Sequence, residues 1–209
     1  MRILGVAHVT TVIPKIAFIN GKGYGVVPTG PGNLRFVSTR LRKGSKTGIE
    51  GSGVEGSRFF QGVGLWAKRK GARLVSLESS SNNALLSDLH GWLLNKGAVP
   101  EGKNDPEKIE LFRGIAIDAV GMVPGFSVES FARAVSVYRS ILMFRKAKEE
   151  GCDTLVVGAA HAQHMQLLGF SKDVQYSKHA KSLIGSYDAE GDVAAYKRYL
   201  PLLKKYFGC

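Results

Sequence analysis

Two hydrophobic periods run along this chain. Short apolar runs without alternation, such as Ile3-Leu4, Arg73–Leu77 (RLVSL) and Cys152–Val157, have the character of buried strands. Between them the apolar positions recur every three or four residues. Phe60, Val63, Gly64 and Ala67 share one face from near Ser57 to Lys70, with Gly71 as a stop. Leu85, Leu86, Leu89, Trp92 and Leu93 do the same over 82–95. Asn104-Asp105-Pro106 opens a further helix, with proline in its first turn and Glu107 and Glu110 close behind. The strongest helical segment is 127–150, capped by Ser127 with Glu129 in its first turn. The tail over 189–207 is amphipathic, and Pro201 is expected to interrupt it.

The first third reads differently. Lys15–Asn20, Tyr24–Pro28 and Leu34–Ser38 are β-rich runs separated by Gly21-Lys22-Gly23 and Gly30-Pro31-Gly32, so hairpins are expected near 15–38. Residues 42–57 (RKGSKTGIEGSGVEGS) have no apolar period and read as a long mobile loop. Its Gly48–Ser57 end could present backbone N–H groups to phosphate, but the Gly-Lys-Ser/Thr ending of a P-loop is missing. Strands alternating with helices predict an α/β fold: one domain over 1–209, a mainly parallel central sheet flanked by helices, and an added β-hairpin region.

Composition narrows the class. The 209 residues are long enough for an unstapled core. No apolar run approaches the ~20 residues of a membrane helix. Cys152 and Cys209 form no ligand or disulfide pattern, so the expectation is a cytoplasmic protein without membrane attachment. The net charge of +12 is uneven: residues 1–73 carry 13 Lys/Arg against Glu50 and Glu55 alone. That field attracts anions, and weak, sequence-blind nucleic-acid binding is one reading of it.

The candidate chemistry lies at strand ends. Gly5-Val6-Ala7-His8 follows Ile3-Leu4, and Gly158-Ala159-Ala160-His161 follows Leu155-Val156-Val157. Each places an imidazole at the carboxyl end of a strand, where open α/β sheets bind ligands. Glu78 ends the run Leu74–Leu77 and is a third strand-end group, and Arg139 sits in the long helix before the second motif. Two histidines and a carboxylate suit a divalent ion (Zn, Mn, Co or Fe) or shared proton transfer. His164 lies three residues after His161 on one helix face, suiting either a paired ligand or a helix-end hydrogen bond. His90 and His179 have no partner at any recognisable spacing.

In this order, GxxH, strand-end Glu, helical Arg and second GxxH, the chain resembles the TraB/Tiki (pheromone-shutdown) family over about residues 3–168. More loosely it is similar to the erythromycin-esterase and haem-binding ChaN proteins. The resemblance implies that the four motifs line one pocket. His8 and His161 would be metal or catalytic ligands, Glu78 an acid/base or ligand, and Arg139 a substrate clamp. It implies a hydrolase, metal-dependent as in the Tiki branch, acting on a peptide, amide or ester. Two departures stand out: Val9–Pro14 replaces a polar helix, and Ser140 stands where an Asn commonly follows the arginine. A basic nucleic-acid-binding protein and a non-catalytic metal or haem carrier are the alternatives, and the oligomeric state is left open.

Overall fold

The computed structural model describes residues 1–7, 16–19, 22–25, 31–50, 58–78, 81–95, 97 and 105–208. Strand β1 (Arg2–Val6) is followed by the antiparallel pair β2 (Ile16–Ile19) and β3 (Lys22–Gly25) and by α1 (Pro31–Ser38). Next come β4 (Lys46–Ile49), α2 (Arg58–Arg69), β5 (Arg73–Ser76), α3 (Ser81–Leu94), α4 (Pro106–Met122) and α5 (Val128–Glu149). The chain closes with β6 (Thr154–Gly158), α6 (Ala159–Leu167), β7 (Val174–Tyr176), α7 (Lys178–Ile184) and α8 (Ala189–Phe207). Five strands form one parallel sheet in the order β5-β4-β6-β1-β7. The α/β fold is as the alternating pattern predicts.

Strand side chains alternate between two cores. Ile3, Leu155 and Val157 point to the α5/α6 side with Met143, Phe144, Ala162 and Met165. Leu4, Val6 and Val156 point to the α1/α2 side with Val37, Phe60, Val63 and Ala67. A third cluster lies outside the sheet, where Phe131, Val135, Tyr138 and Ile141 of α5 pack on Leu86 and Leu89 of α3 and on Tyr199 and Leu203 of α8. Helix α5 is therefore buried on both sides, which explains its many fully enclosed residues.

Several expectations change. Leu34–Ser38 is not a β-run but the body of α1, with Val37 in the core and Leu34 packed against it. The segment 42–57 contains a central-sheet strand, β4, paired in parallel with both β5 and β6. Only Ile49 of that strand is strongly apolar. Thr47 is buried, and a Cβ on Gly48 would stand 2.8 Å from Leu77 Cδ2, so a neighbour's side chain fills the space. The remainder of the loop, 51–57, lies outside the described residues, as do Asn104 and Cys209. Helix α8 runs through Pro201. Pro201 and Lys197, whose carbonyl loses its partner, are both exposed, so water can solvate the freed group. Strand β7 and helix α7 had no counterpart in the pattern.

The first GxxH glycine is a packing requirement. A Cβ on Gly5 would lie 2.6 Å from Tyr176 Cδ1 and 3.0 Å from Ala162 Cβ, between β7 and α6. Gly5→Ala is expected to lower stability by about 1–3 kcal/mol through overpacking, read as a shift in the urea midpoint at constant slope. An unchanged midpoint would refute this account.

Candidate active site

The carboxyl ends of the strands meet one overhanging helix. Helix α5 spans 22 residues, roughly 33 Å at 1.5 Å per residue, whereas the strands it packs on have three to five. Its carboxyl end turns directly into β6 through Gly151, so its amino-terminal half projects past the strands' carboxyl ends. Ser136, Arg139 and Ser140 lie about its midpoint, on the face that continues to Met143 and Ala147.

Arg139 and Ser140 are neighbours on α5 and hold two different strand ends. Arg139 Nη2 donates to Glu78 Oε1 just after β5, and both residues are buried. Ser140 Oγ lies 2.7 Å from His161 Nδ1 and 3.0 Å from His164 Nδ1, both on α6 after β6. Glu78, Arg139 and His161 thus come together, and His164 with them.

The same geometry adds Glu50. It follows β4, its backbone N–H donates to Val156 O at 3.0 Å, and its Oε2 accepts the Gly158 N–H. Oε1 stands 3.3 Å from His161 Nε2. On the far side His164 Nε2 meets Asp192 Oδ2 at 2.9 Å, and Tyr187 donates its hydroxyl to the same oxygen. The result is a continuous buried chain, Glu50–His161–Ser140–His164–Asp192. Burial pushes the His164 pKa below the ordinary imidazole value, opposed by its hydrogen bond to Asp192.

Two buried asparagines fix the chain where it leaves the sheet. Asn33 of α1 donates to Ala7 O at 2.6 Å, directly before His8, and Asn83 of α3 donates to Leu77 O at 3.0 Å, directly before Glu78. His8 itself lies outside the described residues. Its strand β1 is the parallel neighbour of β6, with Val6 opposite Gly158, so the two GxxH motifs leave adjacent strands at the same level.

A divalent ion fits the described side chains poorly. No group of three His, Cys, Asp or Glu gathers as ligands among the described residues. Glu78 is committed to Arg139, while His161 faces Glu50 with one ring nitrogen and Ser140 with the other. Of the expected ligands, Glu78 and His161 each face a different partner and His8 lies outside the described residues, and no chemical step below runs through a metal.

Pattern reading left out Glu50, Ser140, Asp192 and His90 as site residues. For Glu50 a signal existed, since Ile49-Glu50 and Leu77-Glu78 end adjacent parallel strands alike. Nothing local marks Asp192 or His90, which arrive from α8 and α3. No family model, curated protein or solved structure matches the chain.

His90 gives a pH prediction. Its Nε2 is sealed without a hydrogen-bond partner among the described residues. Burial, reinforced by the positive charge of Arg139, lowers its pKa to about 3. The unfolded chain, with an ordinary imidazole, binds this proton first, so the contribution is complete above about pH 6.5 and falls away toward pH 3. Between about pH 6.5 and 5 it amounts to about 2 kcal/mol at most. His90→Phe should flatten that part of the stability–pH curve in denaturant titrations; an identical slope would overturn the assignment.

Proposed function

We propose that this chain is a hydrolase of TraB/Tiki-like type, acting on a peptide, amide or ester at the strand-end pocket. The observation that carries the reading is the pairing of Glu50 with His161 beside Arg139, all three at the carboxyl edge of one parallel sheet. Open α/β sheets place their chemistry at this edge.

Glu50 and His161 supply a carboxylate and an imidazole for moving a proton between a water and a leaving group, an effect of about 10²–10⁴ in rate. Arg139 is held in place by Glu78, and its Nε has no hydrogen-bond partner among the described residues. A guanidinium so fixed can steady the oxyanion of a tetrahedral intermediate or clamp a substrate carboxylate. Ser140 is excluded as the nucleophile by its full burial between two histidines.

The test is hydrolysis of a panel of nitrophenyl esters and short peptide amides by the full chain. His161→Ala and Glu50→Gln should each lower kcat/KM at least about 100-fold while the circular dichroism spectrum stays native. Wild-type rates in both variants, or no turnover of any panel member, would sink the proposal.

A second reading concerns the other end of the sheet. Arg42, Lys43, Lys68, Arg69 and Arg73 are exposed near the amino ends of β4 and β5, with exposed Trp66 stacked 5.3 Å from the Arg69 guanidinium. This basic surface with an aromatic platform suits single-stranded nucleic acid. Binding of an oligonucleotide should be sequence-blind and fall steeply with salt, with Arg42→Glu plus Lys43→Glu weakening it at least about tenfold. Salt-independent binding, or none, would remove the reading.

A further inference from the structure

Helix α4 has the composition of a helix buried on both sides, yet the fold covers only one. Its inner stripe, Phe112, Ile115, Ala119 and Val123, recurs every three or four residues and enters the core shared with α3 and α8. From Gly114 to Val123 the rest of the helix is apolar as well, with Asp118 as the single charge. That acid lies on the flank, where Lys205 and Tyr206 bind it. Ile117 and Val120 are 71% and 62% exposed, and Leu111 and Met122 are exposed on the same helix. A helix apolar all round is ordinarily enclosed. Apolar surface gathered in this way marks an interaction face.

Two glycines shape that face. Gly114 and Gly121 lie three and four residues either side of Ile117, so all three point outward together. A Cβ at either glycine would meet nothing within 4 Å among the described residues. Glycine inside a helix costs stability relative to alanine, and no turn or packing contact within these residues requires it here. What the glycines do supply is room for another helix to approach closely beside Ile117.

We propose that α4 is the contact helix of a symmetric homodimer, packed antiparallel on α4 of a second copy about a two-fold axis at Ile117. A second copy is the occupant because the face complements itself. In that register Ile117 meets Ile117, and Val120 of each copy fills the space over Gly114 of the other. The aliphatic stem of Arg113 crosses Gly121, and Leu111 comes beside Met122. Glu110, whose side chain is 80% exposed, reaches the Pro124–Gly125 turn of the other copy. The exposed Arg198 guanidinium stands at that turn, its Nη2 3.2 Å from the position of a Gly125 Cβ. Each copy thus offers both halves of every contact, as a two-fold interface demands. With the stems of Glu110 and Arg113, the four exposed apolar side chains would bury about 1,000 Å² over both copies, the lower bound for specific association. A dimer of micromolar affinity follows. It uses none of the residues of the strand-end cluster and does not depend on the hydrolase reading.

Sedimentation equilibrium of the full chain from about 1 to 200 µM tests the contact. The mass should rise reversibly from one chain toward two. Ile117→Glu and Gly114→Leu should each weaken the dimer at least about 30-fold with a native circular dichroism spectrum, since both positions face outward in the single copy. Gly114→Ala separates an interface from a free helix: it should weaken the dimer while raising the thermal stability of the dilute monomer. For the register, Ile117→Cys in a Cys209→Ser background should cross-link to itself on oxidation, and Leu111→Cys should not. A chain that stays monomeric throughout, or a dimer that keeps its affinity in Ile117→Glu and Gly114→Leu, would overturn the proposal. So would a monomer that pellets with phosphatidylserine vesicles through Ile117, which would give the face to lipid instead.

Discussion

The site depends on one mechanical fact, the overhang of α5 beyond a sheet of short strands. A helix long enough to pack on the sheet with Met143 and Ala147 still has half its length left to enter the space above the strand ends. Two adjacent residues at its midpoint reach two strands. Arg139 takes Glu78 after β5, and Ser140 takes His161 after β6. Helices α3 and α8 clamp the outer side of the same segment through Phe131, Val135 and Tyr138, so the polar residues cannot move without disturbing an apolar core.

Charge is concentrated here at a cost. Buried ion pairs gain little net stability, because desolvation cancels most of the attraction. Removing one partner is costly, often about 3–5 kcal/mol, since the other is left buried and unpaired. The pair Arg139–Glu78 and the carboxylate-ended chain from Glu50 to Asp192 therefore do more to hold geometry than to stabilise the fold. Ordinary packing supplies the stability, and aromatic contacts such as Phe131–Tyr199 at 5.1 Å and Phe144–Phe170 at 4.5 Å lie just outside the polar cluster.

The strands entering the site are tied at their exits by the same device twice. A buried asparagine from the next described helix takes no part in the sheet but donates to a carbonyl where the chain leaves it, Asn33 to Ala7 and Asn83 to Leu77. These bonds fix the chain at Ala7 and at Leu77, directly before Glu78. Among the described residues no helix is long and apolar enough to cross a membrane.

Much of the architecture was legible because it is written in local periodicity. Helices α2, α3, α5 and α8 and strands β1, β5 and β6 each carry their own apolar pattern, and Ser127 and Asp105 cap where their types suggest. Glu78, Arg139, His161 and His164 could be singled out because each sits beside such an element. Strand β4 was hidden, since Lys46-Thr47-Gly48-Ile49 owes its place to Leu77 filling the space over Gly48 and to pairing on both edges. Glu50 was hidden with it, and His90 and Asp192 join the site only through the packing of α3 and α8 on α5. Sequence alone determined the strands and helices that carry their own apolar period, such as β1, β5, β6, α2, α3, α5 and α8, because burial period is a property of neighbours along the chain. The tertiary structure alone decided which charged groups face each other, because that depends on which distant elements exclude water together.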